Sequence, residues 1–138
     1  MPRSARPATL DGLVRAPRYT RVDRVDGDGA PLASVVLPEL LVVGSSFVGA
    51  DLRHATLDGC AFLRCDLTGA NLRGASLRGA RFSGTSLRGA DLRDTDLTSA
   101  AFGATGGRVH VTDLTGTRLD GATLRGTTFE DVLGLPTV

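Results

Sequence analysis

Two histidines and two cysteines are the side chains of this sequence that could act in catalysis or bind a metal. His54 follows Asp51 closely enough to form an acid–base pair, but no nucleophile stands at a recognisable spacing from them. Cys60 and Cys65 have no clustered histidine beside them, which does not fit a zinc site. His110 stands apart, and the chain contains no phosphate-binding loop, nucleophile elbow or HExxH motif. We therefore expect no catalytic residue, no metal, no cofactor and no enzyme activity.

Charged side chains are the remaining candidates for recognition. All 16 basic residues are arginine, and 15 acidic residues reduce the net charge to +1. A chain so close to neutral lacks the strong field that would attract nucleic acid or a membrane surface. The longest apolar run, residues 40–43, is far too short to span a bilayer. The N-terminus is rich in arginine and proline and has no apolar signal segment, so we expect a cytoplasmic protein whose partner is another protein.

The charges are sorted by a five-residue period between Ser45 and Ala104. The third position of each repeat is Leu or Phe, the first is Ser, Ala, Cys or Thr, and every charged residue occupies one of the other three. A period of five fits neither an α-helix nor a flat strand and is typical of stacked repeats. The chain would turn a corner every five residues, with the large residue inside and successive coils about 4.8 Å apart. The predicted core is Phe47, Leu52, Leu57, Phe62, Leu67, Leu72, Leu77, Phe82, Leu87, Leu92, Leu97, Phe102, Val109, Leu114, Leu119, Leu124 and Phe129.

The spacing of the phenylalanines indicates how many repeats make one coil. Phe62, Phe82 and Phe102 are each separated by four repeats. Four repeats per coil would place the three rings on one wall, where offset stacking favours that register.

The repeats ADLRH, ANLRG and ADLRD resemble the A-(D/N)-L-X-X consensus of the pentapeptide repeat proteins, over roughly Leu32 to Phe129. The resemblance implies an all-β fold, a right-handed quadrilateral parallel β-helix of about five coils. It implies a non-catalytic bacterial protein that acts as a protein–protein interaction module or scaffold, with a homodimer as an open alternative. Some members mimic DNA and protect DNA gyrase, which confers toxin or quinolone resistance. That alternative would require a plainly acidic surface, whereas this central run balances aspartate against arginine.

The repeat phase divides the chain into three segments. Residues 1–29 do not repeat, and we expect a disordered arm or a cap over the first coil. Residues 30–131 form the repeat helix, in which the spacing from Phe102 to Val109 predicts a two-residue insertion near residues 105–107. Residues 132–138 end the pattern and are expected to form a C-terminal cap.

Four repeats per coil also predict which exposed residues share a wall. One column would hold Asp51, Asn71, Asp91 and Asp113, and a second column would hold arginines and end at Thr115. An apolar patch would lie on the outside of the wall that carries Phe62. These columns are either a self-neutralising surface or a docking face for carboxylates or phosphates of a partner. The candidate partner surface is Arg53, Arg73, Arg93, Asp51, Asp91, Leu41, Val43 and Leu63.

Overall fold

The computed structural model describes residues 9–103 and 111–136. The predicted core residue Val109, His110 and the predicted insertion near residues 105–107 lie outside these ranges, as do the first eight residues of the predicted arm. The one helix and the eight strands of the described residues are α1 (Leu10–Val14), β1 (Arg21–Asp23), β2 (Leu41–Val43), β3 (Ala61–Leu63), β4 (Arg81–Ser83), β5 (Ala101–Phe102), β6 (Thr112–Asp113), β7 (Thr128–Phe129) and β8 (Val132–Leu133). At five residues, α1 is far too short to cross a membrane, and the described residues contain no other helix.

The strands stack in parallel, one coil above the next. Six of them form one sheet in the order β1-β2-β3-β4-β5-β7, while β6 pairs with β8 in a second sheet. We call the six-stranded side the first wall. Isolated parallel bridges between residues one coil apart form three more walls: the second holds Ser46 and Asp66, the third Asp51 and Asn71, and the fourth Thr56 and Ser76. The predicted fold class, a right-handed quadrilateral β-helix of about five coils, is confirmed.

The fifth position of each repeat turns the corner between two walls. The backbone there adopts a positive φ, as at Gly79 (φ 66), which glycine accepts without steric cost. Four non-glycine residues on the central coils take the same conformation, His54 (φ 58), Arg64 (φ 52), Asp94 (φ 58) and Ser99 (φ 60). The five-residue period is therefore a backbone period, four residues of extended or turn geometry and one left-handed corner.

The interior is filled by the third and first positions of the repeats. The third-position residues Phe47 to Phe102, together with Leu114 and Leu119, are buried, while Leu124 and Phe129 are partly exposed and pack against the same core. The small first-position residues are buried as well, as Ala50 and Thr85 show with 0% exposure. An interior void beside Leu32, Phe47 and Leu57 measures about 10 Å³, room for one water at most.

Four phenylalanine rings form a continuous stack inside the first wall. The ring centroids of Phe62 and Phe82 are 5.3 Å apart, those of Phe82 and Phe102 4.8 Å, and those of Phe102 and Phe129 5.2 Å. Neighbouring planes are inclined by 7–8°. The stack continues from Phe102 to Phe129, the next ring along the wall, so the core is continuous on both sides of residues 104–110.

The first coil begins at Arg21 and not at Ala30, the start predicted from the sequence. β1 pairs with β2 in register, and Asp26 bridges to Ser46 on the next wall. The repeat pattern is weak here because Gly27 stands where a central leucine is expected. The ring of Phe47, one coil above, occupies the space that a side chain at Gly27 would need. Residues 21–29 are therefore part of the β-helix.

The helix α1 covers the open end of this first coil. Its N-terminus is capped by Thr9, whose hydroxyl accepts a hydrogen bond from the Gly12 backbone N–H at 2.9 Å. Leu13 is fully buried and joins the core, while Ala16 follows it with 9% exposure. A solenoid end exposes an apolar cross-section, and Leu13 fills that role here.

The coil that contains residues 104–110 is seven residues longer than the others. Thr85 and Thr112, which occupy the same place in successive coils, are 27 residues apart, whereas Cys65 and Thr85 are 20 apart. Asp113 consequently bridges to Ser86 on the second wall, and Arg118 is the residue opposite Asp91. The predicted two-residue insertion and the predicted placement of Asp113 and Thr115 in the columns of the third wall are wrong. An insertion of seven residues is one five-residue repeat plus two. It therefore leaves the following repeats in the same phase as the predicted insertion of two residues.

The C-terminal residues continue the helix for one more side. β8 pairs in register with β6, Thr112 with Val132 and Asp113 with Leu133. Val132 packs against the core, so this part of the predicted cap is itself a rung. Leu133 and Leu135 remain 55% and 53% exposed at this end of the molecule.

Candidate interaction surface

The third wall carries the most regular array of charged side chains. Asp51, Asn71 and Asp91 bridge one another in parallel, which places them in one column. The arginines two positions later share each rung with them, on the other side of a buried leucine. We call this set, Asp51, Arg53, Asn71, Arg73, Asp91 and Arg93, the ladder face.

Two rungs of the ladder face hold a two-pronged ion pair. Arg53 donates to Asp51 from Nε at 2.9 Å and from Nη2 at 2.8 Å. Arg93 donates to Asp91 from the same two nitrogens at 2.9 and 2.7 Å. This fork-to-fork geometry is the strong form of the arginine–carboxylate contact.

The paired arginines shift the titration of both carboxylates. The Arg53 guanidinium, helped by the Arg53 backbone N–H, lowers the pKa of Asp51 from 3.8 to about 2. The hydrogen bond from Arg93 likewise lowers the pKa of Asp91. Both aspartates therefore stay ionised at any physiological pH.

The middle rung differs because Asn71 replaces the aspartate. Asn71 Oδ1 accepts the Arg73 backbone N–H at 3.1 Å, as the aspartates do on their rungs. It offers no charge to the Arg73 guanidinium, which donates instead from Nε to Asp94 Oδ2 at 3.3 Å. Both members of this diagonal pair are about half exposed, so the contact is weak.

A surface groove of about 510 Å³ opens over the ladder face. The side chain of His54 bounds it on one side and lies where a Cβ on Gly74 would otherwise stand, with His54 Cε1 2.6 Å from that position. Because Gly74 has no side chain, both the histidine and the floor of the groove have room. The residues that line the groove are Arg53, His54, Asn71, Arg73, Gly74, Asp91, Arg93 and Asp94.

In the last coil, the acidic and the basic positions of the third wall are reversed. Arg118 lies opposite Asp91, where the three preceding coils carry Asp or Asn, and Asp120 stands at the arginine position of the rung. Arg118 contributes to the lowered pKa of Asp91, and Asp120 to the raised pKa of Arg93. The sequence reasoning missed both residues because it assigned the last coil to the wrong walls.

The predicted apolar patch on the first wall is smaller than expected. Leu41 and Leu63 are half-buried there, as register neighbours of Ala61 and of Val43 and Ser83. Val43 was predicted to point outward, but only 5% of it is exposed, with Asp23 and Leu63 paired on its two sides. The structure therefore leaves two separate leucines and does not form a continuous patch through Val43.

The two cysteines point into the interior as free thiols. The Cys60 and Cys65 sulfurs lie 3.3 Å from the carbonyl oxygens of Leu37 and Val42. Burial raises the pKa of each thiol to about 11. Within residues 9–103 and 111–136, no group of three or more His, Cys, Asp or Glu side chains is arranged to hold a metal ion.

The repeat geometry agrees with a known family. The pentapeptide repeats family matches residues 45–84 and 75–103, with eight copies in total. Residues 45–103 of the chain are pentapeptide repeats. The matched residues include every member of the ladder face, so this surface lies in the most regular part of the pentapeptide repeat helix.

A solved structure of a pentapeptide repeat protein shares this fold. The protein Rfr23 from the cyanobacterium Cyanothece 51142 is 18% identical, with 93% of this chain and 88% of that chain covered at a TM-score of 0.65. The protein alr5209 from Nostoc Pcc 7120 is 28% identical, with 93% and 82% covered at a TM-score of 0.40. QnrB1, a plasmid-mediated fluoroquinolone resistance protein, is 18% identical, with 83% and 72% covered at a TM-score of 0.46. No curated protein matches this chain.

Proposed function

We propose that this protein is a non-catalytic interaction module whose ladder face docks onto another protein. The observation that carries the proposal is the contrast between its inside and its outside. The core is packed with leucine and phenylalanine, with an internal void of only about 10 Å³. The outside presents fixed rows of guanidinium and carboxylate groups at the spacing of the coils. Repeat solenoids recognise partners through such extended surfaces.

Rigidity supports the same proposal. The ladder face is attached to a parallel β-helix in which backbone hydrogen bonds join every rung to the next, such as Leu52 N–H to the Asn71 carbonyl at 2.7 Å. The charged groups are consequently held in place before a partner arrives, which reduces the entropy that binding would cost. We place the interface on the third wall because its groove brings three arginines together.

Affinity capture from the native host tests this function. The baits are the tagged wild-type protein and two tagged variants, Arg73→Ala on the ladder face and Arg78→Ala on the fourth wall. Complexes are crosslinked chemically before capture. We expect a protein that is captured by the wild type and by Arg78→Ala, and lost with Arg73→Ala. Capture of the same proteins by all three baits, or of nothing beyond an untagged control, would contradict the proposal.

A supercoiling assay separates this function from protection of DNA gyrase. The aspartates of the ladder face are matched by arginines on the same rungs, so the third wall does not reproduce the uniform negative charge of a phosphate backbone. We expect no dose-dependent rescue of gyrase from a fluoroquinolone. Rescue that grows with protein concentration would assign the alternative function, and sedimentation of the same sample would establish whether a homodimer is the active form.

A further inference from the structure

The ladder face contains one rung in which a carboxylate is missing. The rungs on either side each hold an aspartate and an arginine joined by two hydrogen bonds, whereas the middle rung holds Asn71 and Arg73. Among the described residues, the Arg73 guanidinium makes one side-chain contact, from Nε to Asp94. Neither of its Nη groups makes a hydrogen bond to the described residues, whereas on the other rungs Nη2 completes the fork.

Further donors converge on the same place. Asn71 Oδ1 is engaged by the Arg73 backbone N–H, which leaves the side-chain amide nitrogen of Asn71 as a free donor. The groove above Gly74 is open and lies between the guanidinium groups of Arg53 and Arg93. A negatively charged group placed in it would meet Arg73 directly.

From this we propose that the groove binds a carboxylate side chain from an acidic peptide segment of the protein partner, with Arg73 as the anchoring cation. The inference rests on the proposed function and names the chemistry of its partner. The neighbouring rungs show the form of the contact, a planar carboxylate held by Nε and Nη2 together at 2.7–2.9 Å. A carboxylate supplied by a partner completes the one rung whose own residue is an amide.

The charges around the groove favour a peptide over a nucleic acid. Asp91 and Asp94 line it together with the arginines, and Asp51 flanks it, so a continuous row of phosphates would meet repulsion on adjacent rungs. The chain as a whole carries a net charge of only +1. A single carboxylate fits because Arg73 is the one arginine of the ladder face that has no aspartate on its own rung.

The matched variant Asn71→Asp tests the inference. It places an aspartate at the position that Asp51 and Asp91 occupy in the same column, so it fills the missing charge from within the chain. We expect the fold to be kept, since the neighbouring rungs tolerate that residue, and the melting temperature to stay the same or to rise. Arg73→Gln removes the anchoring cation, and Arg78→Gln on the fourth wall is the control.

The measurement is an NMR titration of the purified protein with a short glutamate-rich peptide, because one exposed guanidinium–carboxylate contact is weak. Wild type and Arg78→Gln should show a saturable shift at Arg73 Nε and the His54 ring. Asn71→Asp and Arg73→Gln should weaken binding by roughly tenfold.

Three results would overturn the inference: equal affinity in Asn71→Asp, shifts spread evenly over all exposed arginines, or tighter binding of a single-stranded oligonucleotide than of the peptide. None of these depends on the cellular partner. A partner that is captured by the wild type and lost with Arg73→Ala, while the glutamate-rich peptide fails to bind, would leave the proposed function intact and overturn this site. Peptide binding at Arg73 with no captured partner would do the reverse.

Discussion

Asp91 lies opposite Arg118 across the third wall, 27 residues along the chain, where Asp51 and Asn71 are separated by 20. The pairing brings opposite charges together at the end of a column that otherwise stacks aspartate on asparagine and aspartate. It contributes to the lowered pKa of Asp91, after the larger effects of Arg93. The longer coil therefore decides which charges meet on the ladder face.

The first prediction concerns the length of that coil. Replacing residues 104–111 with a single glycine restores the 20-residue separation, and the glycine takes the corner held by Gly84 one coil earlier (φ 59). We expect the variant to unfold cooperatively, with stability equal to that of the wild type or slightly higher, because a shorter connection between two rungs costs less entropy to close. Urea denaturation followed by circular dichroism measures this. Loss of folded protein would show that the seven additional residues are needed for the coil to form.

The second prediction compares two neighbouring positions with opposite environments. Leu77 has 0% exposure inside the third coil, so Leu77→Arg would bury a charge without a partner and should abolish folding, a loss above about 4 kcal/mol. The side chain of Arg78 is 62% exposed and lies 3.8 Å from Asp96. Arg78→Ala should change stability by less than about 0.5 kcal/mol. Thermal melts of both variants provide the test, and a folded Leu77→Arg protein would contradict the buried assignment.

The third prediction addresses the corners. Gly79 has φ 66, and a Cβ built on it meets no atom within 4 Å, so the cost of a side chain there is backbone strain alone. Gly79→Ala should destabilise the protein by roughly 1–2 kcal/mol, and Gly79→Asn by less, because asparagine tolerates the left-handed region.

Ser99 provides the matched control for these corner variants, since it already holds φ 60 with a side chain present. Ser99→Ala should leave the urea midpoint almost unchanged. A loss as large as that of Gly79→Ala would indicate that side-chain contacts, and not the backbone conformation, limit these corners.

The fourth prediction follows from the titration of Asp51. Its pKa is about 2 in the folded protein against 3.8 for an unperturbed aspartate, so the folded state holds the ionised form more strongly. The Asp51–Arg53 pair therefore stabilises the fold above pH 3.8, and its contribution disappears as the pH falls through about 2. Arg53→Gln should raise the pKa of Asp51 towards its usual value.

An NMR titration of the Asp51 side-chain carboxyl carbon measures that shift, with Arg78→Gln as the control that leaves it unchanged. A wild-type midpoint close to 3.8 would show that the two-pronged contact does not persist in solution.

Much of the architecture could be read from the order of the residues. The third position of each five-residue repeat is leucine or phenylalanine, and the first position is a small residue. Apolar and charged side chains are then separated by a tube that turns a corner every five residues. The separation of Phe62, Phe82 and Phe102 indicated four walls, and their rings stack as that spacing requires. These features were readable because each depends on side chains that are close in sequence or related by a constant interval.

Other features could be decided only by the folded chain. A period of five cannot distinguish an insertion of two residues from one of seven. Only bridges between coils, such as that of Asp91 to Arg118, show on which wall each residue of the last coil lies. The start of the first coil could not be predicted from the sequence because Gly27 has no side chain where a central leucine is expected. The space is filled by the ring of Phe47 from the next coil. Local pattern determines which residues face inward, whereas register between distant coils depends on contacts that no fixed interval encodes. The groove at Arg73 belongs to the second kind, since it exists only where three rungs are stacked.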